Sequence, residues 1–348
     1  MHESDDCTRR DSVKLSAGTV LATAAGAIGG EQAAEQPAPG DRPGGARPRV
    51  GCVSWNFHSL AGGTSPKEAI DTIGRLGFEG IELILQGRKG IKNFWTDATI
   101  GAIRKQLEKH KLQVPQFAVF QPVVEELTST RADERQRALD RFEAGCRIAR
   151  KLGSPIIDIV APWARELSGP TGYLPRYYEV DDAAPGQTFH IDIAPGFDWD
   201  KVWETFVESV KGCLQRAKAH GLKFTVENHT HTMAPDPTAF LRLWDAIRDP
   251  ALGMNLDVGW VALQREYPPV AVHKAGKHLM NVHMRDIDGL MRLFVHVGRG
   301  VMDFAAIAQA LKAVRFDGFL CLEQDGDPDE DMKATCARYL AMMKELLA

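Results

Sequence analysis

Four apolar runs in the C-terminal half of the chain decide the fold, and they read LKFTVE (222–227), LGMNLD (252–257), LMNVHM (279–284) and FLCLEQ (319–324). Each run reaches an ionisable residue at or near its end, namely Glu227, Asp257, His283 and Glu323. In parallel α/β proteins, buried strands carry their last side chains to one rim of the sheet, where the chemistry takes place. Three carboxylates and one imidazole converging there would make a site for a hard divalent metal ion.

Four similar runs precede these in the chain, and they read VGCVSW (50–55), FEGIELIL (78–85), QVPQFAVF (113–120) and PIIDIVA (155–161). The segments between the runs have helical period, as in the stripe Leu139, Phe142, Cys146 and Ala149. Strands that are apolar on both faces and alternate with helices indicate parallel pairing through right-handed crossovers. Eight such units predict a closed (β/α)8 TIM barrel. A doubly wound open sheet is the alternative, but no GxGxxG turn follows the first run.

Helix boundaries are marked by local capping signals. Ser65 to Glu68 reads as a capping box that starts a helix ending before Gly77. The pairs Asp236-Pro237 and Asp327-Pro328 read as cap-plus-proline starts of later helices.

The connection after the fourth predicted strand, from Pro162 to Asp198, is much longer than a usual βα loop. We interpret it as a loop insertion on the catalytic face of the barrel. Its aromatic residues would then form a lid or a sugar-stacking wall: Trp163, Tyr173, Tyr177, Tyr178 and Phe189. A surface insertion or an oligomer contact is the alternative, and a homo-oligomer is left open.

The N-terminal segment predicts export from the cytoplasm. Arg9 and Arg10 precede an Ala/Gly-rich apolar stretch, Leu15 to Ile28, which is too short to span a bilayer stably. We interpret residues 1–30 as a twin-arginine-like signal peptide, residues 31–48 as a disordered linker and residues 49–348 as the barrel domain. The expected location is the periplasm, without stable membrane insertion after signal cleavage. A disordered tail that happens to contain two arginines is the alternative.

Composition excludes some classes of partner. The formal net charge of the 348 residues is −4 and there are no long Lys/Arg runs, which argues against nucleic-acid binding. The cysteine spacing matches no zinc or disulfide framework, so the cysteines read as core residues. Cys52 and Cys321 lie on the first and last strands and would become neighbours on closure. We expect two packed thiols there rather than a bridge.

The predicted ligand set favours particular metals and a particular reaction. Carboxylates with one imidazole suit Mn²⁺, Mg²⁺ or Co²⁺, with Zn²⁺ as an alternative. The ligands leave positions open for substrate oxygens, so the metal could polarise a carbonyl and stabilise an enediolate. Glu227 and Glu323 would approach the substrate from opposite sides. Together they can remove a proton next to the carbonyl and return it elsewhere.

Five motifs carry a resemblance to a known family, and in chain order they are VENHTH, NLDVGW, VHMRD, VGRGVMDF and CLEQD. From about Val50 to the C-terminus the chain resembles the xylose isomerase-like TIM barrel family, also called sugar phosphate isomerase/epimerases. The resemblance implies metal ligation by the four strand-end residues, with both glutamates also acting as the acid–base pair. It also implies that Glu82, at the end of GIE, lies near the pocket.

Two departures from the family pattern bear on the substrate. Epimerase-like members often have a histidine where this chain has Trp260, and a Lys-Asp where this chain has Arg285-Asp286. Arg285 would either bind a substrate carboxylate or phosphate, or pair with Asp286. His229 or His231 is expected to face the substrate. The full set of predicted substrate contacts is Glu82, His229, Trp260, Arg285 and His58.

The sequence therefore predicts a metal-dependent sugar isomerase or epimerase that acts by α-proton abstraction through a metal-stabilised enediolate. The main alternative is a sugar lyase or dehydratase that uses the same metal site for β-elimination on a keto-sugar or 3-keto-glycoside. Two further alternatives are a zinc-dependent endonuclease of the same barrel and a non-catalytic sugar-binding barrel. In the leading interpretation the partner is a small sugar.

Overall fold

Eight parallel strands close into a barrel in the computed structural model, which describes residues 47–60, 65–168, 192–289, 294–324 and 331–348. The barrel strands are β1 (Arg49–Val53), β2 (Gly80–Leu85), β3 (Phe117–Val119), β4 (Ile156–Val160), β7 (Lys223–Glu227), β8 (Leu252–Asp257), β9 (Leu279–Met284) and β12 (Phe319–Leu322). Two short antiparallel pairs lie outside the barrel: β5 (Leu167–Ser168) with β6 (Asp192–Ile193), and β10 (Asp286–Ile287) with β11 (Phe294–Val295). The spatial order β1-β12-β9-β8-β7-β4-β3-β2 confirms the predicted TIM barrel.

Helices separate the strands along the chain. They are α1 (Lys67–Leu76), α2 (Gly90–Asn93), α3 (Asp97–His110), α4 (Gln121–Val124), α5 (Ala132–Leu152), α6 (Trp199–Ala219), α7 (Pro237–Ile247), α8 (Val258–Leu263), α9 (Pro268–Ala275), α10 (Phe304–Ala313) and α11 (Met332–Leu346). Short 3-10 helices occupy Ser54–Asn56, Glu125–Thr128 and Gly276–His278. Among the described residues, no helix is both long enough and apolar enough to cross a membrane.

The capping signals are confirmed in part. The predicted capping box is not formed, because α1 has Pro66 as its N-cap and the Ser65 hydroxyl accepts the amide of Lys67 rather than that of Glu68. The helix ends before Gly77, as predicted, and the φ of +89° at Gly77 suits a residue without Cβ. Asp236 accepts the amide of Ala239 at 2.9 Å and starts α7. Asp327-Pro328 lies outside the described residues, and α11 has Asp331 as its N-cap.

Alternation along each strand divides the interior into two parts. The outward residues of the barrel strands join the helices in one large apolar core. Phe224, Val226, Leu256 and Met284 belong to it, and each is at most 1% exposed. The residues between them point into the barrel, and many of those are polar. The helices therefore pack against one set of side chains and leave the other set to build the site.

The cysteines are packed thiols, as expected, but their partners differ from the prediction. All five described cysteines are free and buried. The registers Gly51↔Cys321 and Cys52↔Leu322 place Cys52 and Cys321 on opposite faces of the sheet. Cys52 instead lies 3.9 Å from Cys336 of α11, sulfur to sulfur.

Some predictions concern residues outside the described part of the chain. These are the signal peptide, the linker up to residue 46, and the middle of the predicted insertion, residues 169–191, with its tyrosines and Phe189. They stay predictions.

Candidate metal centre

The four strand-end residues meet at the carboxyl end of the barrel. Glu227 ends β7, Asp257 ends β8, His283 lies one residue before the end of β9, and Glu323 follows β12. All four are buried, and each offers one ligand atom, with these atoms all within 4.8 Å of one another. The sequence prediction that they converge is therefore realised in the geometry.

Parallel register explains the convergence. Asp257 pairs with His283 across β8 and β9, so both side chains point to the same side at the same height. Cys321 also pairs with His283. Glu323, two residues after Cys321, therefore lies on the same inward face and closer to the carboxyl end of the barrel. Because the strands are parallel, all of these side chains leave the barrel at one end.

His283 is held between carboxylates on both of its ring nitrogens. Its Nδ1 lies 2.6 Å from Glu323 Oε2 and 3.4 Å from Glu227 Oε1. Its Nε2 lies 3.1 Å from both carboxylate oxygens of Glu82. Glu82 is fully buried on β2, so it contacts the ring from the side away from the other two acids. Nδ1 is therefore the nitrogen that faces the candidate metal position, and Glu82 orients the ring.

Arg285 bridges two of the candidate ligands. Its Nε lies 2.6 Å from Asp257 Oδ2, and its Nη2 lies 2.6 Å from Glu323 Oε1. Trp55 Nε1 donates to the same Glu323 oxygen at 2.8 Å. Pairing of Arg285 with Asp286, one of the two predicted alternatives, is not what the structure shows. Asp286 instead accepts the amides of the 298–302 turn that leads to α10.

Asp257 also has a structural role. Its Oδ1 accepts the amides of Gly259 and Trp260 at 2.8 and 3.0 Å, and it is the N-cap of α8. Its other oxygen, Oδ2, contacts Arg285. The cap fixes the carboxylate in the orientation that presents Oδ2 to the site.

Further polar side chains, which the strand patterns do not predict, lie on the inward face of β7, β8 and β9, two residues before the candidate ligands. Asn255 donates to Glu227 Oε2 at 3.1 Å, and Asn281 donates to Glu82 at 2.8 Å and to Asn255 at 3.0 Å. Deeper in the barrel, Thr225 donates to Asp158 at 2.7 Å. The sequence signal for these residues is their spacing of two positions from the candidate ligands. Thr225, Asn255 and Asn281 each precede a candidate ligand by two residues, so each shares its face of the strand.

Burial and mutual charge shift the ionisation of the site. Burial raises the pKa of Glu227 to about 7, and the charge of His283 limits the rise. Burial also raises the pKa of Asp257, against the opposing charge of Arg285. At Glu323 burial acts in the same direction, but Arg285 and His283 hold its pKa well below the usual range. Burial would lower the pKa of His283, yet the surrounding acids, Glu82 first, raise it well above its usual value.

The donor set fits a divalent cation. Three buried carboxylates crowd one imidazole, and a cation among them would neutralise charges that burial makes costly. Oxygen-rich donors with one imidazole nitrogen suit Mn²⁺, Mg²⁺ or Co²⁺. Glu227, Asp257, His283 and Glu323 are the residues that would hold it.

A cavity of about 210 Å³ lies beside the four residues. Glu227 and Glu323 line it, together with Trp55, His229 and Trp260. The His229 ring packs on Trp260 with 3.8 Å between ring centroids. Arg285 also reaches this cavity. Three of the predicted substrate contacts, His229, Trp260 and Arg285, thus line this cavity.

The other two predicted substrate contacts lie elsewhere. Glu82 is below the ligands, with Gln116, Asn281 and His283 as hydrogen-bond partners. His58 lines a neighbouring, larger cavity, with Nε2 3.1 Å from the Ser54 hydroxyl. Neither residue lines the cavity beside the metal site.

Comparisons with known proteins agree with this architecture. No curated protein matches the chain significantly. Among solved structures, D-psicose 3-epimerase from Clostridium cellulolyticum H10, determined with D-tagatose, aligns with a TM-score of 0.66 at 16% identity, over 86% of this chain and 99% of that one. An L-ribulose 3-epimerase gives a TM-score of 0.66 at 17% identity, over 86% and 94%. The probable 3-DHS dehydratase AsbF of Bacillus anthracis, involved in petrobactin synthesis, gives 0.64 at 15%, over 84% and 98%.

At such low identities the structural likeness shows the fold alone. The sequence model of a family described as xylose isomerase-like TIM barrel, however, matches residues 70–345. This match covers most of the chain, including all four candidate ligands. The chain therefore belongs to the xylose isomerase-like TIM barrel family.

Proposed function

We propose that this protein is a metal-dependent sugar isomerase or epimerase. The observation that carries the proposal is the convergence of the four candidate ligands, two of them glutamates that also line one cavity. Glu227 and Glu323 come from β7 and the end of β12, which are separated in the barrel by β8 and β9. They therefore approach a ligand in the cavity from different sides. Two solved structures with the same fold are named as sugar 3-epimerases, which supports this choice.

The chain supplies the proton-transfer groups. A divalent cation, when bound, would polarise the carbonyl of the substrate and stabilise the negative charge of the enediolate. One glutamate takes the proton from the carbon beside the carbonyl, and the C–H electrons form the enediolate double bond. The other glutamate delivers a proton to the opposite face or to the neighbouring carbon, and the carbonyl re-forms.

The neighbouring residues position both glutamates. Trp55 and Arg285 share one oxygen of Glu323 at 2.8 and 2.6 Å, so its carboxylate has little freedom to turn. Asn255 donates to Glu227 at 3.1 Å. Trp260 and His229 form an aromatic wall that restricts water and suits the C–H face of a sugar.

Replacement of each glutamate tests the proposal. We expect Glu227→Gln and Glu323→Gln to reduce turnover of the metal-loaded protein by about 10²–10⁴-fold while sugar binding persists. Turnover is measured by transfer of solvent deuterium into the isomeric sugar. Glu108→Gln, at an exposed position of α3, is the matched control and should behave as wild type. Unchanged turnover in both active-site variants would rule out this function.

A lyase or dehydratase is the second candidate. The same proton abstraction expels a β-substituent when the keto-sugar carries one, as in a 3-keto-glycoside. Trp260 favours this candidate, because an aromatic wall replaces the polar contact expected from the histidine of epimerase-like members. A solved structure with this fold is named as a probable dehydratase. An unsaturated or cleaved product would support elimination, and deuterium retained in an isomer would support isomerisation.

We also propose export through the predicted signal peptide. Arg9 and Arg10 are the residues on which a twin-arginine signal depends. Cell fractionation of the wild type and of a variant with both arginines changed to lysine tests the proposal. Retention of the variant in the cytoplasm is the expected result, and equal export of both forms would contradict it.

A further inference from the structure

A second cavity adjoins the candidate active site. Its volume is about 670 Å³, against 210 Å³ for the cavity beside the metal ligands. Ile84, near the end of β2, lines both cavities. Ser54 lines the larger cavity, and the next residue, Trp55, lines the smaller one. The two cavities are therefore neighbours at the carboxyl end of the barrel and share Ile84 as a lining residue.

The smaller cavity alone is below the usual size of a ligand site. Pockets for small molecules typically measure about 300–1,000 Å³. The larger cavity lies within this range, and the smaller one, at 210 Å³, has room for little more than one sugar ring. A substrate larger than a monosaccharide would extend from the metal site into the second cavity.

The lining of the second cavity suits a neutral polar ligand. Arg88 donates to Glu125 at 2.7 Å and to the Pro122 carbonyl at 2.8 Å, so its charge is compensated within the protein. Lys89 also borders the cavity, and its side chain is exposed. Because the charge of Arg88 is compensated, hydrogen bonding is the main polar interaction that the buried part of the lining offers to a ligand.

Amide and aromatic side chains complete this lining. Asn93 supplies a planar amide, a group that both donates and accepts hydrogen bonds. Gln86 supplies a second amide, whose nitrogen also contacts His58 Nδ1 and the Ser59 carbonyl. Phe94 and Trp95 supply rings, and Trp95 is fixed edge-on against Phe117 with 5.2 Å between centroids. Rings that pack against C–H faces, beside amides that reach hydroxyls, are the groups that bind an uncharged sugar ring.

We propose that the second cavity binds an uncharged sugar unit linked to the reacting sugar, so that the substrate is a disaccharide or related glycoside rather than a free monosaccharide or a sugar phosphate. This inference rests on the proposed function of the metal site. His58 then belongs to the binding of this second unit, since it lines the second cavity and contacts Ser54 and Gln86.

Gly87 gives a way to fill the second cavity without disturbing the metal site. It lines the cavity, its backbone does not have the positive φ that favours glycine, and a Cβ added there would have no atom within 4 Å. Gly87→Phe is therefore expected to fold and to occupy the space of the second sugar. Gly101 on α3 has the same freedom and borders neither cavity, so Gly101→Phe is the matched control.

Calorimetric titration of the Mn²⁺-loaded full chain tests the proposal. The probes are D-fructose, the glucosyl-fructoses turanose, maltulose and isomaltulose, and a phosphate ester of fructose. We expect at least one disaccharide to bind about tenfold more tightly than D-fructose, a gain of about 1.4 kcal/mol. Gly87→Phe should remove this advantage and leave the affinity for D-fructose within about twofold. Gly101→Phe should keep the advantage.

Three results would overturn the proposal. They are equal affinity for D-fructose and every disaccharide, equal weakening of both by Gly87→Phe, and an advantage for the phosphate ester instead. If Gly87→Phe unfolds at a lower temperature than wild type, Asn93→Ala replaces it, because Asn93 is exposed and outside the apolar core. Failure of the proposed function is distinguished by turnover. Disaccharide binding without deuterium exchange would refute the isomerase but not the second site.

Discussion

The two faces of β7 and β8 differ in chemistry, although both are buried. On β7 the outward residues Phe224 and Val226 are apolar, whereas the inward residues Thr225 and Glu227 are polar. On β8 Met254 and Leu256 alternate in the same way with Asn255 and Asp257. Burial alone therefore does not tell the two faces apart.

The outward side chains therefore contribute mainly to stability, and the inward side chains mainly to the candidate site. Outward side chains contact the helices and contribute transfer free energy and dispersion. Inward side chains cost free energy to bury and are kept in place by hydrogen bonds to one another. A substitution on one face should thus change unfolding, and a substitution on the other should change metal binding and turnover.

The largest expected effect comes from the outward face. Phe224 is fully buried and packs edge-on against Phe142 of α5, with 5.1 Å between ring centroids. We expect Phe224→Ala to lower the free energy of unfolding by about 3–5 kcal/mol, because the cavity it leaves cannot close completely. Urea denaturation measures this loss, and the folded fraction should keep wild-type turnover per bound metal.

Phe224→Leu is the control for this substitution, because it preserves most of the volume and should cost much less. The assignment of stability to the outward face would be contradicted if Phe224→Ala abolished turnover while the free energy of unfolding stayed unchanged.

A smaller effect is expected from the charge of Glu227. Burial raises its pKa from 4.5 to about 7, so the folded, metal-free protein binds more protons than the unfolded chain between these values. The free energy of unfolding should therefore fall as pH rises through this window, by roughly 1–3 kcal/mol from this group. Glu227→Gln lacks the titrating carboxyl, so its free energy of unfolding should depend less on pH than that of the wild type.

Denaturation of both metal-free proteins from pH 4.5 to 7 checks the sign of this dependence. Parallel profiles would contradict the prediction.

The smallest effect concerns the residue that orients the imidazole. Glu82→Gln keeps the size of the side chain but removes the carboxylate that lies 3.1 Å from His283 Nε2. We expect metal affinity to fall by about 10–100-fold, since such partners fix the orientation and basicity of a ligating histidine. Titration with Mn²⁺ measures the change. Glu79→Gln, just before the other end of β2, is the control, and equal affinities in the two variants would contradict this role.

The fold and the four converging residues are predictable from the sequence because both follow from strand patterns. An apolar run that reaches an ionisable residue marks the strand and its end together, as in LKFTVE. Asn255 and Asn281 lie inside apolar runs, and the sequence pattern does not distinguish them from the rest of each run. Only the inward direction of their side chains, shared with Asp257 and His283, shows that they support the site.

Other features depend on three-dimensional distances that no local pattern contains. Arg285 follows β9, and it forms ion pairs with both Asp257 and Glu323 because β9 lies between β8 and β12 in the closed sheet. The position of His58 in the second cavity depends on how the chain turns after the 3-10 helix at Ser54–Asn56. Cys52 meets Cys336 rather than Cys321 because adjacent strands in register place the two on opposite faces.

Pairing of the first strand with the last one has a consequence for cooperativity. Glu323 follows β12, and its hydrogen-bond donor Trp55 follows β1, the strand with which β12 pairs. The hydrogen bond that orients Glu323 therefore forms only when β1 pairs with β12 and the barrel closes. A cation that binds all four residues would stabilise the closed barrel globally and not one local segment. Its binding should slow amide hydrogen exchange in β1 as well as in β8 and β9, although β1 contributes no ligand.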